Sequence, residues 1–447
     1  MSEKKILTRF APSPTGRLHI GNARSAILNW IFAKKNNGDF ILRIDDTDIE
    51  RSKDSYIELI KKDLQWLNLS WSKTFKQSER KKIYNKRIEE LKNNGRLYPC
   101  FESQEELLLK RKSLLSSGKP PIYDRSSLKL SEKEKENYLA KGTKPHWRFF
   151  INEKKIYWND LIRGEVSFES ENLSDPILIR EDGSLLYHLP SVIDEISENI
   201  THIIRGEDHI SNTAFHIQIF EALKSNSPTF GHHSLLIDKE GKGMSKRMNS
   251  FSIDDIQKKG FENLTILNYL STIGTSNNLT FETEVSKLIE LFEISDLAKS
   301  TAKFNEDDLI KINSNILKKI EFKEASNKLE KIDVHKSNEE FWNLIKNNIN
   351  FLNEAIEWWA IVNDDKIYVN DKNDFLIQCA SVLPSEPYDI NTWEDWLKEI
   401  KKLSKKTGKD LFMPLRMALT GKKNGPEIKY LLPLLTKAQI IKRLGAL

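Results

Sequence analysis

The sequence predicts a doubly wound α/β domain that carries an α+β insertion and is followed by an all-helical half. Three observations support this. Apolar strand-like runs alternate with helical periodicities from about Lys5 to Pro99. Short strands and polar helices then fill the stretch to about Ser191, after which Thr201–Arg205 resumes the earlier style. Beyond Ser252 strands nearly vanish. Alternating strand and helix implies a parallel sheet covered by helices, and the expected segments are 1–99, 100–191, 192–240, 241–313 and 314–447.

In chain order, Ile6, Leu7 and Phe10 read as a short buried strand. Ala23, Ala26, Ile27, Trp30 and Ile31 recur at helical spacing. Between them, Pro12 to Asn22 is a rigid turn with two prolines, Gly16, Gly21 and His19. A strand-to-helix turn of this kind brings backbone N–H groups and an imidazole close to a polyphosphate. Phe40–Asp46 returns as a second apolar strand with two carboxylates at its end, where ligands gather in open α/β sheets. Helical patterns follow at Ile57, Ile60, Leu64 and Leu67, then at Ile83, Ile88 and Leu91 with Gly95 as C-cap.

Ser103 to Glu106 is a capping box opening a helix to about Leu115, and a polar helix is expected near Ser131–Lys141. Strands are expected at His146–Ile151, Lys155–Trp158 and Pro176–Arg180, the last facing Leu185–Leu189 across a turn at Asp182-Gly183. Ser211 is expected to cap a helix to about Leu223, and His233–Ile237 reads as a strand ended by an exposed turn from Asp238 to Gly243. The remainder reads as helices, among them Asp254–Lys258, Leu264–Ile273, Glu284–Leu291, Glu306–Ile312, Asn338–Ile349, Phe351–Ile361 and Phe375–Leu383.

With 447 residues, 30% charged and 38% hydrophobic, the chain is a globular protein of two to four domains. Its net charge of +5 is mild, but residues 401–447 hold twelve basic side chains against Asp410 and Glu427, a distribution suited to a phosphate backbone. The two cysteines, Cys100 and Cys379, are far apart, which argues for a reducing compartment, no disulfide and no zinc. No apolar run approaches the ~18 residues of a membrane span, and Met1 to Lys5 lead straight into the first strand without a signal-peptide region. A cytoplasmic protein with no membrane partner is expected.

Two further clusters carry chemistry. Gly243-Met244-Ser245-Lys246-Arg247 reads alone as a solvated loop, or else as a mobile cationic loop that delivers Lys246 to a phosphate. Tyr187 and Arg205-Gly206-Glu207-Asp208-His209 read alone as a strand end with an acidic turn. Yet Arg205 would then share a sheet edge with Arg9, and two guanidiniums in one pocket repel unless an anion sits between them.

Jointly these stretches resemble class I aminoacyl-tRNA synthetases of the bacterial glutamyl type. His19-Ile20-Gly21-Asn22 is similar to the family's HIGH element, and Gly243 to Arg247 to its KMSKS loop. Arg9 to Gly16 and Leu42 to Asp48 resemble the glutamate-specific forms of the flanking strands, and Gly408 to Arg416 the helical anticodon-binding region. The likeness runs along essentially the whole chain. It implies a Rossmann-like catalytic domain and a two-step reaction: glutamate and Mg-ATP give glutamyl-adenylate, and the terminal ribose of tRNA(Glu) takes the glutamyl group.

The resemblance also implies roles. His19, Gly21 and Asn22 would hold the ATP phosphates, Lys246 with Ser245 and Arg247 would stabilise charge toward pyrophosphate, Asp208 would contact the nucleotide and Leu236 would line the adenine pocket. Arg9, Tyr187 and Arg205 would read the side-chain carboxylate of L-glutamate. Ser13 and Asp45 would meet its α-ammonium, with His209 close by.

The sequence departs from the family where Asp45 replaces a common Glu, with Asp46 as an alternative ammonium partner, and where Gly243 replaces a lysine that Lys242 can stand in for. Some relatives hold zinc in the insertion; here Cys100 is the cysteine found there, so no zinc is expected. By analogy the insertion grips the acceptor end and the helical half reads the anticodon. Trp358, Trp359, Trp393 and Trp396 read first as helix core, with base stacking as the alternative. The expected partner is tRNA(Glu), possibly also tRNA(Gln) in a non-discriminating form, with the protein a monomer. A glutaminyl enzyme is disfavoured by the helical tail, a short tRNA-modifying paralogue and a small-molecule nucleotidyltransferase by the presence of that tail, and a non-catalytic tRNA-binding relative by the presence of His19, Lys246 and Arg205.

Overall fold

The computed structural model describes residues 5–241, 251–275, 281–368 and 373–446. The predicted cationic loop, with Lys242, Gly243, Ser245, Lys246 and Arg247, lies outside the described residues. The chain divides into two compact units, residues 1–255 with 266–305, and residues 256–265 with 306–447.

The first unit opens with β1 (Leu7–Phe10), α1 (Ile20–Lys35), β2 (Asp39–Ile44), α2 (Asp54–Trp66), β3 (Lys73–Lys76) and α3 (Lys81–Asn93). β1, β2 and β3 run parallel, with Leu7 opposite Asp39 and Ile41 opposite Lys73. α1 is apolar nearly all round, as a helix enclosed on every side must be, and it buries Ala23, Ala26, Ile27, Leu28 and Ile31. Its polar residues become ties. Asn29 donates to Ile204 O at 2.7 Å and accepts from Ile204 N at 3.3 Å, while Arg24 donates to Ser234 O and Ile273 O, both at 2.7 Å.

The insertion holds β4 (Leu97–Cys100), α4 (Gln104–Ser116), α5 (Glu132–Ala140), β5 (His146–Phe149), β6 (Lys155–Asp160), β7 (Gly164–Glu169) and β8 (Ile177–Ile179). β4, β5 and β8 form an antiparallel sheet and β6 pairs with β7 as a hairpin. Ser103 and Glu106 cap α4 reciprocally, as the sequence predicts. The α/β core then resumes with α6 (His188–Ser197), β9 (His202–Gly206), α7 (Ile210–Ala222), β10 (Thr229–His233) and β11 (Leu236–Ile237). β9 and β10 are parallel, and Thr201 N donates to Leu7 O at 3.0 Å, which sets β9 beside β1. The strands thus stand in the order β3-β2-β1-β9-β10, laddered as β1-β2-β3 and β9-β10, and the order reverses between β1 and β9, the place where such sheets bind ligands. Next come α8 (Ile253–Lys258), α9 (Asn263–Thr272), α10 (Val285–Leu291) and β12 (Ala302–Lys303), which pairs with β11.

Several expectations are corrected. Leu185–Leu189 is not a strand: Leu185 makes an isolated bridge to Ile179 and α6 starts at His188. Leu189, Val192, Ile193 and Ile196 have helical spacing, and Pro190 sits in the first turn, where a helix tolerates it. The strand expected at His233–Ile237 is split: Leu236–Ile237 is β11, while His233 closes the earlier strand β10, which Gly231 and the two histidines disguise. Ser211 does not cap α7, since the 3-10 turn Glu207–His209 runs straight into the helix. β3, β4 and β7 were not anticipated.

The second unit is helical: α11 (Glu306–Lys319), α12 (Phe322–Glu330), α13 (Glu339–Ile345), α14 (Glu354–Asn363), α15 (Asp374–Ser381), α16 (Thr392–Leu403), α17 (Gly408–Thr420), α18 (Ile428–Leu431) and α19 (Lys437–Arg443). Trp358, Trp393 and Trp396 are buried, and Trp396 Nε1 donates to Cys379 O at 2.9 Å. The core reading of these rings stands. The basic run is partly internal. Arg443 is buried and donates to Leu419 O, Ile361 O and Asp364 O, and Lys422, Lys429 and Lys442 face Glu357, Glu427 and Asp365.

In the insertion, Cys100 is not alone. Glu102 and His146 stand beside it, and one donor atom from each lies within 4.8 Å of the others. These groups are already committed elsewhere in part. Burial pushes the Cys100 thiol up to about 11, and Glu102 accepts from Tyr123, Ser126 and Ser127 at 2.6–2.7 Å. Burial acts to raise the Glu102 carboxyl, but those hydroxyl donors outweigh it and hold the group at about 2, below its usual 4.5. A depressed folded-state value stabilises above pH 4.5 and is lost as pH falls toward 2. The melting-temperature advantage of the native chain over Glu102→Gln is therefore expected to shrink between pH 5 and pH 3, as differential scanning calorimetry would show.

Candidate active site

The strands and turns of the first unit surround a cavity of about 450 Å³ at the carboxyl ends of β1 and β9. It is lined by Arg9, Ser13, His19, Gly21, Asn22, Asp45, Tyr187, Arg205, Asp208, His209 and Leu236, so the structure brings together the described residues nominated for ATP and glutamate, apart from the alternative Asp46.

The turn between β1 and α1 is pinned by backbone contacts. Asp45 N donates to Pro12 O at 3.0 Å, and Lys53 N to Pro14 O at 3.1 Å. His19 occupies the N-cap of α1, where its Nδ1 accepts from Asn22 N at 3.3 Å. The imidazole proton therefore sits on Nε2, and burial lowers the ring's pKa so that it stays neutral. Asn22 N–H is thereby occupied, and Ile20 N–H goes to Phe251 O. Gly21 N–H remains as the first-turn donor at the cavity. A Cβ at Gly21 would lie 3.1 Å from the His19 ring, so the glycine gives the imidazole its room. α1 has no acidic residue in its first turn and two lysines in its last, so its N-terminus favours an anion.

At the other wall, three guanidiniums approach one another, and each is held differently. Arg9 Nε and Nη2 both donate to Glu195 Oε1 at 3.1 Å. Arg43 makes a two-bond pair with Asp45, at 2.7 and 3.0 Å. Arg205 has neutral partners: it donates to Tyr187 Oη at 3.2 Å, Thr213 Oγ1 at 2.6 Å and His232 Nε2 at 3.3 Å. The anion that the sequence called for between Arg9 and Arg205 is thus supplied to Arg9 by the protein itself. Of the three guanidiniums, Arg205 is the one with no carboxylate partner among the described residues.

The surrounding rings preserve that charge. Burial and the Arg205 cation push His209 and His188 down to about 4, and the fully buried His216 is lowered likewise, so these imidazoles are neutral. Tyr187 packs against His188, His209 and His216 with centroids 5.4–5.6 Å apart.

Asp45 lines the cavity, but Arg43 takes both its oxygens. Burial raises its carboxyl to about 6 against the pull of Arg43. Asp46, the alternative ammonium partner, turns to Ser78, whose N and Oγ donate to it at 2.8 and 2.7 Å. Glu195 and Arg43 are the charged groups that sequence reasoning missed here. Arg43 was visible two residues before Asp45, but Glu195 lay hidden in the unrecognised α6.

Residues 5–311 match the family described as tRNA synthetases class I (E and Q), catalytic domain, and residues 296–447 match an anticodon binding domain. The chain is 48% identical to the glutamate–tRNA ligase 1 of Rickettsia felis over 443 residues, covering 98% of this chain and 99% of the relative. It is 47% identical to the protein of the same name in Rickettsia bellii over 444 residues, with the same coverage. Among solved structures, it is similar to a glutamate tRNA ligase from Elizabethkingia meningosepticum in complex with its amino acid, with a TM-score of 0.87 and 26% identity over 99% of both chains. The glutamate-tRNA synthetase of Elizabethkingia anophelis gives 0.85 and 26% over the same coverage.

Proposed function

The chain belongs to the class I tRNA synthetases for glutamate and glutamine, and from that premise we propose how its own residues carry glutamate–tRNA ligation. The enzyme activates L-glutamate with Mg-ATP and passes the glutamyl group to tRNA(Glu). In the first step the α-carboxylate attacks the α-phosphate and pyrophosphate leaves. In the second a ribose hydroxyl at the tRNA 3′ end attacks the activated carbonyl and AMP leaves. Neither step needs a nucleophile from the protein, so catalysis rests on alignment and charge stabilisation.

His19 Nε2–H and Gly21 N–H, at the start of α1, face the ATP phosphates. Asn22 contributes through its hydrogen bond to the His19 ring rather than by direct donation. Asp208 contacts the nucleotide and Leu236 lines the adenine pocket. Lys246, flanked by Ser245 and Arg247, stabilises the charge that develops toward pyrophosphate. Arg205, with Tyr187, takes the side-chain carboxylate; Arg9, neutralised by Glu195, shapes the wall beside it. Ser13 and the Arg43-bound Asp45 meet the α-ammonium, and His209 closes the pocket as a neutral ring.

The observation that carries this reading is the buried Arg205, whose partners Tyr187, Thr213 and His232 are all neutral, on the same cavity as the His19 turn. A cation so placed selects an anion. Glutamine would leave it without a counter-charge, at a cost of roughly 2–3 kcal/mol for each charge-assisted bond lost.

By this proposal the protein works as a monomer and the insertion grips the acceptor end of the tRNA. Pyrophosphate exchange with glutamate and ATP, with and without tRNA, followed by charging of purified tRNA(Glu) and tRNA(Gln), tests the reading. Exchange supported by glutamate and not by glutamine, with charging of tRNA(Glu), is the expected result. Charging of tRNA(Gln) as well identifies the non-discriminating form. Glutamine-dependent exchange overturns the substrate assignment.

A further inference from the structure

Arg205 can present its free edge to the cavity only if the rest of its guanidinium is held, and the group behind it belongs to a short buried chain that starts in the insertion. Asp160, the last residue of β6, and His232, on β10, are both fully buried, and Asp160 Oδ2 lies 2.5 Å from His232 Nδ1. On the far side of the ring, His232 Nε2 lies 3.3 Å from Arg205 Nε and 2.9 Å from Thr213 Oγ1.

An arginine Nε–H can only donate. His232 Nε2 must therefore offer a lone pair, which puts the ring proton on Nδ1, facing Asp160. The surroundings of Asp160 enforce this. Its Oδ1 accepts the backbone N–H groups of Ile162, Arg163 and His232 at 3.0–3.1 Å, and its Oδ2 accepts from Trp158 Nε1 at 3.3 Å as well as from the imidazole. A carboxyl that meets donors on every side is ionised. Burial works against that, but the His232 and backbone donors hold it at about 2. Burial and the Arg205 cation meanwhile keep the imidazole from gaining a second proton, against the pull of Asp160.

We propose that Asp160 and His232 are positioning residues for glutamate recognition: Asp160 fixes the tautomer in which His232 accepts from Arg205 Nε, and that bond aims the guanidinium at the substrate carboxylate. The inference rests on the reading of Arg205 given above. It also ties the accuracy of the amino-acid pocket to a residue of the β6–β7 hairpin, which the sequence offered as insertion and not as active site.

Asp160→Asn is the direct test. With its carbonyl retained by the three backbone donors, the amide nitrogen faces His232 Nδ1. Two donors cannot meet there, so the ring must move its proton to Nε2, against Arg205 Nε–H. The full-length enzyme, assayed by pyrophosphate exchange with tRNA present, should show a glutamate KM raised ~10- to 100-fold with the ATP KM within about twofold. Histidine 15N spectra should show the His232 proton moved from Nδ1 to Nε2.

The pair His232→Gln and His232→Asn refines the test and covers poor folding of the first variant. The glutamine carbonyl reaches the Nε2 position and should hold glutamate KM within a few fold of native, whereas asparagine keeps the Asp160 contact, loses the acceptor and should behave like Asp160→Asn. An unchanged tautomer in Asp160→Asn, equal losses in the two His232 variants, or parallel rises in both KM values would overturn the proposal. Arg205→Ala separates the two levels. If it leaves glutamate KM unchanged, the reading of Arg205 fails; if it raises KM while Asp160→Asn does not, the positioning dyad alone fails.

Discussion

Replacing Arg205 with alanine is expected to raise the glutamate KM by about 100- to 10,000-fold and to remove the preference for glutamate over glutamine. The range follows from losing two charge-assisted hydrogen bonds of roughly 1.5–3 kcal/mol each. The full loss is expected because Arg205 is buried, its partners are neutral, and no carboxylate among the described residues pairs with it. Arg205→Lys should recover only part of the activity, since an ammonium keeps the charge but cannot reach Tyr187, Thr213, His232 and the substrate together. Arg9→Ala should behave differently. It takes the hydrogen-bonding partner from Glu195 Oε1, leaving Arg43 Nη1 at 3.7 Å as the nearest cation, while Oε2 has no partner among the described residues, so the main effect falls on melting temperature. Steady-state kinetics with both amino acids, alongside calorimetry, checks the contrast.

The second large effect is expected at Lys246. Lys246→Ala should lower adenylate formation by about 100- to 1000-fold, the usual result of deleting one donor aimed at developing charge. Lys242→Ala should do less, because Lys242 stands one residue from the position where the family often has its first lysine. Single-turnover adenylate assays would measure both variants, and near-native rates in the two would remove the loop from the mechanism.

Much of the site was legible in the sequence because its pieces are local. The turn from Pro12 to Asn22 has proline, glycine and histidine in an order that few folds need, and Arg9, Asp45 and Arg205 each end an apolar strand. Parallel strands in one sheet send such ends to one edge, so the convergence on a common cavity follows from topology. Charge pairing was not legible. Glu195 meets Arg9 across 186 residues of chain, and Asp160 meets His232 across 72. Glu195 and His232 sit in stretches with weak local signals. Leu185 to Pro190 looks like the return arm of a hairpin until the helical spacing of Leu189, Val192, Ile193 and Ile196 is given priority. The β10 strand hides behind Gly231, His232 and His233, whose strand preference is low.

The basic C-terminal run shows a different gap. Composition alone offered all twelve cations to a nucleic acid, yet Arg443 is spent on three carbonyls and Lys422, Lys429 and Lys442 on acidic neighbours. Net charge along the chain does not reveal which cations the fold keeps for itself.

A crystal structure with glutamate bound is the most direct measurement. The account predicts the γ-carboxylate within hydrogen-bond distance of the Arg205 guanidinium and the Tyr187 hydroxyl, with Arg9 still on Glu195. A γ-carboxylate seated on Arg9 with Glu195 displaced, or one lying away from Arg205, would contradict it.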